Sequence, residues 1–166
     1  MRVKEGESLP QAAFMTMGSA GPEIKTTNDV FRGRRVALFG LPGAYTPVCH
    51  AEHLPGIVAL QKTLRQHGID VVACTAVNDV FVLDRWANEL GAQSSVLMLA
   101  DGNADFAIRA GLAVDLTKYG LGIRSNRYAL LAADGEVRVI NVEDVLMRHD
   151  KSSAASLCER IDQVSA

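Results

Sequence analysis

One stretch of this chain carries residue types whose order could make a nucleophile. In Pro42-Gly43-Ala44-Tyr45-Thr46-Pro47-Val48-Cys49 a single thiol follows a threonine and a proline suited to starting a helix. Thr46 is a good N-cap residue. Pro47 fits the first helical position, where its missing N–H leaves no intrahelical bond unmade and its φ is already helical. Cys49 then falls at about the third helical position, in a turn whose N–H groups have no intrahelical partners and which carries the positive end of the macrodipole. A thiol so placed can have its pKa lowered from about 8.5 into a range of roughly 3.5–7.5, most of all beside a cation. The predicted chemistry is attack by a thiolate.

The elements that must position this cysteine can be read from the hydrophobic pattern. Arg35 to Gly40 is a short apolar run closed by Gly40 and Pro42, which predicts a buried strand ending in a loop. The Cys49 helix is expected to run to about Gln66 with a bend at Pro55. Ile69 to Val77 is nearly all apolar, as a central parallel strand should be. Asn78-Asp79 caps a helix with Val82, Trp86 and Leu90 on one face and Gly91 as its stop. Val96 to Ala100 predicts a third strand, and Asp105 to Ala110 a short helix ended by Gly111. Asp134-Gly135 between two apolar runs is a strong hairpin signal. A last helix begins near Ser152-Ser153 and buries Ala154, Leu157, Cys158 and Ile161. Gly18 to Pro22 and Asp144 to Lys151 read as loops within the fold. The order predicts an α/β protein with a thioredoxin-like fold: a mixed central sheet, helices on both faces, and a C-terminal β-hairpin plus helix. In open sheets of this kind chemistry collects at the carboxyl ends of the parallel strands, and Cys49 lies just past one.

Length and charge narrow the classes. At 166 residues the chain is expected to form one domain over 1–166. Seventeen Lys and Arg against nineteen Asp and Glu leave a formal charge of −2 without a basic run, so neither nucleic acid nor an anionic membrane is an expected partner. The charged start Met1 to Glu7 has no apolar segment after it and predicts no secretory leader. Three cysteines without a C-x-x-C speak against a disulfide scaffold and a dithiol centre, and a cytoplasmic setting is expected.

Pro42, Thr46 and Cys49 form P-x-x-x-T-x-x-C, which resembles the active-site signature of the peroxiredoxins, thiol peroxidases of the thioredoxin superfamily. The longer run from Leu41 to Cys49, with His53-Leu54-Pro55-Gly56, is similar to the atypical or type II branch. The similarity continues through Val77-Asn78-Asp79, Trp86, Leu99 to Asn103, Gly122 to Tyr128 and Asn141-Val142-Glu143. Tyr45 stands where the family usually has Phe. The resemblance implies that Cys49 is oxidised by a peroxide to a sulfenic acid. It places the Arg127 guanidinium beside the sulfur and the peroxide, and makes Thr46 a hydrogen-bond partner of the reacting atoms. Pro42 would shield the sulfur from water and shape the loop. Arg124, in the same block as Arg127, could act on the substrate or only buttress the site. No cofactor or metal is implied. The expected partners are a peroxide, glutathione or a glutaredoxin as reductant (thioredoxin if a disulfide forms), and a second copy of the chain. Tyr45 and Phe81 supply apolar surface for such a homodimer.

Other readings of the same residues remain open at this point. Cys74 in its strand and Cys158 on its helix are most simply buried small hydrophobes. Some members of the branch carry a resolving cysteine in the loop that here reads Asp150-Lys151-Ser152-Ser153, where this chain has serines. The expected cycle therefore uses one cysteine; a bridge from Cys49 to Cys158 or Cys74 is the alternative, and needs Cα atoms within about 7 Å. Cys49 and His53 share a helical face, with His50 adjacent, so a zinc site or a cysteine hydrolase was weighed; both lack the further ligands or separately held base they need. His53 is instead expected to pack or hydrogen-bond within its own helix. A peroxide sensor that uses the same sulfenic acid as a signal is the alternative function.

Overall fold

The computed structural model describes residues 1–165. The apolar run ahead of Cys49 forms β3 (Arg35–Gly40), whose residues from Val36 onward are buried on both faces. Such a strand must lie inside a sheet. It pairs in parallel with β4 (Val71–Ala76), and β4 pairs in parallel with β5 (Leu97–Ala100). On its other side β3 pairs antiparallel with β8 (Tyr128–Ala133), which turns into β9 (Glu136–Val142). Asp134 and Gly135 take φ values of 51° and 79°, the left-handed pair that a tight hairpin with the sheet's own twist requires.

An N-terminal hairpin completes the sheet: β1 (Ala13–Gly18) and β2 (Gly21–Thr26) are antiparallel, and the full order is β2-β1-β5-β4-β3-β8-β9. The sequence reading had only the loop at its tip. Phe14 and Thr16 are buried on one face, but Met15 and Met17 on the other are also half covered by the core, which blurs the two-residue alternation. A short helix, α1 (Thr27–Phe31), follows with Thr26 and Asp29 in a capping box. It too had no period long enough to read.

Helices α2 (Leu54–Gln66), α3 (Val80–Glu89) and α5 (Ala154–Ser165) pack on one face of the sheet, against Ala37, Phe39, Ala129 and Leu131. α1 and α4 (Asp105–Arg109) cover Val36, Leu38, Leu99 and Leu130 on the other. The expected thioredoxin-like mixed sheet with helices on both faces is the observed one. A small outlying ribbon, β6 (Ala113–Asp115) with β7 (Ile123–Ser125), was not foreseen; with three residues per strand it has no readable period.

The Cys49 helix departs from expectation at its start. Pro47 and Val48 are helical, Cys49–His53 is one π-helical turn, and the α-helix proper begins at Leu54. The Leu54 N–H donates to the Cys49 carbonyl, five residues back. Pro55 has no N–H to offer, so the irregularity predicted at the proline is taken up as a wider turn just before it.

Candidate active site

The loop between β3 and Cys49 is held from three sides. The Ala44 N–H donates to Asn78 Oδ1 at 2.9 Å, which ties the loop to the turn capping α3. Arg124 reaches in from β7: its Nε donates to the Leu121 carbonyl at 2.8 Å and its Nη1 lies 3.4 Å from the Pro42 carbonyl. A Cβ on Gly43 would come within 2.5 Å of that nitrogen and would push the end of the arginine aside. Of the two roles open to Arg124, this placement fits the buttress. Tyr45 sits at φ 61° and turns the chain into the helix.

Thr46 directly precedes the helix, and its carbonyl accepts from the His50 N–H at 2.9 Å. Its hydroxyl, expected to cap the turn, instead donates to the Gly43 carbonyl at 2.7 Å. Its one proton is therefore committed to the loop, and the oxygen keeps its lone pairs for an incoming O–H. Pro42 is buried, and Cys49 has no exposed surface.

Arg127 enters from the chain just before β8 and is only 2% exposed, far less than an ordinary surface arginine. Its Nε donates to the Leu146 carbonyl at 2.8 Å, and its Nη1 lies 3.0 Å from His53 Nδ1. A guanidinium can only donate, so Nδ1 is the acceptor and the His53 proton sits on Nε2, which donates to the Ser152 carbonyl at 2.8 Å. Burial lowers the His53 pKa to about 3, the Ser152 carbonyl opposes this, and the Arg127 charge adds to the lowering. The expectation that His53 bonds within its own helix is thus corrected: both ring nitrogens reach residues 74 and 99 positions away. They are also unavailable to a metal or to a hydrolase's general base, and among the described residues no three His, Cys, Asp or Glu converge.

His50, next to Cys49, serves a different contact. Its Nδ1 accepts from the buried Trp86 Nε1 at 3.1 Å, and the Tyr45 ring stacks on it with centroids 5.6 Å apart. The Tyr45 hydroxyl donates to Glu89 Oε2 at 2.9 Å, a bond the phenylalanine usual in the resembling family could not make. A groove of about 740 Å³ opens beside these elements, with Pro42, Thr46 and Arg127 at its base and Val114, Leu116 and Met147 along its walls.

The other two cysteines lie in the same core as Cys49, on the same face of the sheet. Burial pushes the Cys74 thiol well up, and Cys49 adds to the effect, so the two sulfurs sense each other. Cys158 is also raised by burial, then by Asp162, with no influence from Cys49.

Residues 4–157 match the family model described as Redoxin. A peroxiredoxin of Synechocystis is 40% identical over 146 residues, covering 82% of this chain and 77% of its own. The chain belongs to the peroxiredoxin family. Chloroplastic peroxiredoxin-2E of Arabidopsis thaliana is 40% identical over 146 residues, which are 86% of this chain but 62% of that protein, so the chain spans less than two thirds of that relative. Mitochondrial peroxiredoxin-2F of the same plant is 40% identical over 141 residues, 84% of this chain and 70% of that one. Among solved structures, reduced Prx3 of Vibrio vulnificus in complex with hydrogen peroxide superposes with a TM-score of 0.91 at 35% identity, covering 96% of this chain and 99% of that one. The expected cytoplasmic setting is corrected by the relatives, of which peroxiredoxin-2E is chloroplastic and peroxiredoxin-2F mitochondrial.

Proposed function

We propose that this peroxiredoxin is a thiol peroxidase that reduces hydrogen peroxide and small organic hydroperoxides through Cys49. The observation that carries the reading is the buried Arg127, bonded to His53 in the same helical turn as Cys49 and lining one groove with Pro42 and Thr46. The Cys49 thiolate attacks one peroxide oxygen, a S–O bond forms as the O–O bond breaks, and the departing alkoxide or hydroxide takes up a proton. Sulfur loses two electrons to the peroxide and becomes a sulfenic acid. Charge moves from sulfur to the leaving oxygen, so fixed donors along that line lower the barrier. Two Arg127 donors are spent on Leu146 and His53. The remaining three of its five N–H groups are free for sulfur and peroxide. The Thr46 oxygen accepts the peroxide O–H, and Pro42 keeps water off the sulfur. Support for the substrate comes also from the Vibrio protein, whose structure was solved with hydrogen peroxide.

The sulfenic acid is recycled by an external thiol, glutathione or a glutaredoxin, which expels water to form a mixed disulfide that a second thiol reduces. The zero exposure of Cys49 means that the first turn must open before peroxide or such a thiol can reach the sulfur. The core that Cys49 shares with Cys74 and Cys158 supports a second reading in which one of these two resolves and thioredoxin reduces the bridge. A homodimer through the active-site edge is supported by Tyr45 and Phe81, 45% and 65% exposed.

The test is turnover. With excess peroxide, glutathione, glutaredoxin and an NADPH-coupled reductase, many equivalents consumed per Cys49 support a catalyst. Consumption that stops after one equivalent with every reductant, thioredoxin included, would instead mean a sensor.

A further inference from the structure

The chain from Asn141 to Ser153 carries two buried polar residues that the peroxide chemistry above does not use. Glu143 is 8% exposed and Ser152 is fully buried, although both flank a segment of exposed residues. One oxygen of Glu143, Oε1, accepts both the Ser152 N–H at 2.7 Å and the Ser152 hydroxyl at 2.9 Å. The Ser152 carbonyl is the acceptor for His53 Nε2, and His53 Nδ1 is the acceptor for Arg127 Nη1. The path closes on itself, because the Glu143 N–H donates to the Arg127 carbonyl at 2.9 Å. Five hydrogen bonds between four buried residues thus form a ring that begins at the Arg127 backbone and ends at its guanidinium. Leu146, inside the same segment, takes the Arg127 Nε.

We propose that Glu143 and Ser152 are positioning residues for the reaction at Cys49, holding the Arg127 guanidinium in its productive orientation through the Ser152 carbonyl and His53. The inference rests on the peroxidase reading and adds residues to it. Arg127 has several rotatable bonds and five donors, so its charge alone does not aim it. Two acceptors, Leu146 O and His53 Nδ1, fix the plane of the fork. His53 is set in turn by a carbonyl whose place depends on the Glu143 carboxylate. A charged acceptor taking two donors makes a stronger clamp than a neutral one. The rings and carbonyls between Glu143 and Arg127 are already desolvated, so a lost link cannot be replaced by bulk water. The plain rival is that Glu143 only staples the segment to the start of α5.

Rapid-mixing measurement of Cys49 oxidation by hydrogen peroxide separates the two, with Trp86 fluorescence as signal, in the reduced full-length protein, in Arg127→Ala, and in Glu143→Ala with and without Arg127→Ala. We expect Glu143→Ala to slow the second-order rate constant about tenfold or more. Glu143→Gln, which keeps an acceptor oxygen, should restore most of it. In the Arg127→Ala background Glu143→Ala should change the rate less than twofold, because the residue acts through that arginine. Should Glu143→Ala fail to fold, Ser152→Ala removes one of the two clamp bonds, and a slowing of roughly twofold to fivefold that vanishes without Arg127 carries the same conclusion. An unchanged rate in Glu143→Ala with only lower thermal stability, or the same slowing with and without Arg127, overturns the proposal. A wild-type Cys49 that does not react with peroxide would instead overturn the peroxidase reading itself.

Discussion

Acidification should weaken this fold through His53 in a calculable way. The His53 imidazole is 1% exposed, donates one proton to the Ser152 carbonyl and has its other nitrogen against the Arg127 cation, so a second proton has no place to go. Its pKa is lowered from 6.5 to about 3, mostly by burial and also by the Arg127 charge, against the opposing Ser152 bond. In the unfolded chain the same ring takes a proton near pH 6.5, so between pH 6.5 and 3 the unfolded state binds more protons than the folded one. Stability is then complete above pH 6.5 and falls as pH falls, by up to about 1.4 kcal/mol per pH unit. From pH 7 to pH 5 the loss is about 2 kcal/mol, on the order of 4–8 °C in Tm for a domain of this size. Other groups titrate in this range, among them His67, whose pKa is raised by the Thr63 carbonyl and Asp162 and which therefore works in the opposite sense. Comparison with His53→Gln cancels them. Calorimetric or fluorescence melts at pH 7 and pH 5 should show wild type losing about 2 kcal/mol more than His53→Gln. Equal losses in the two proteins would refute the buried, neutral His53 and with it the direction of the Arg127 hydrogen bond.

Three further outcomes follow from the same geometry. Arg127→Lys keeps the charge, but one nitrogen cannot span Leu146, His53 and a peroxide, so the rate of Cys49 oxidation should fall about a hundredfold, and a rate within threefold of wild type in rapid mixing would contradict the role given to the fork. Gly40→Ala would put a Cβ 2.0 Å from the buried Tyr128 ring; chemical denaturation should show a loss of about 2–3 kcal/mol or more, and a neutral result would mean that the ring is free to move. Tyr45→Phe removes the bond to Glu89 that ties the loop before Cys49 to α3, so oxidised Cys49 should be reduced by a small thiol roughly twofold to fivefold faster. Unaltered reduction would show that the loop does not limit access.

What could be read from the chain was what depends on neighbours. The strand before Cys49, the Thr46-Pro47 helix start, the Asp79 cap of α3 and the Asp134-Gly135 hairpin each rest on local stereochemistry, and all four appear where expected. Local spacing also put Cys49 past the end of a central strand. The π-helical turn was missed because a proline in a helix predicts only that some bond must be given up, without saying which turn widens. The Thr46 hydroxyl was misdirected for a similar reason: capping and loop bonds compete within a few residues, and the Gly43 carbonyl won. The ring through Glu143, Ser152, His53 and Arg127 was illegible. Its members come from three segments, with Glu143 and Ser152 at the two ends of a loop, Asp144 to Lys151, that reads as a plain connection, and nothing in the pattern marks either as buried. A faint signal did exist, since Asn141-Val142-Glu143 was one of the blocks that resembled the family. Its glutamate directly follows a strand that is half apolar, which is where a buried carboxylate must find a donor.

The central claim is that Cys49 gives two electrons to the peroxide and takes up one of its oxygens, and that an external thiol completes the cycle. Purified, reduced protein should be treated with one equivalent of hydrogen peroxide without other thiols, then trapped with dimedone and its intact and peptide masses determined. An added oxygen or a dimedone adduct on Cys49, with Cys74 and Cys158 free, is the predicted result. Loss of two hydrogens with Cys49 joined to Cys74 or Cys158 would contradict the external-thiol cycle, and an unmodified Cys49 would contradict the peroxidase account as a whole.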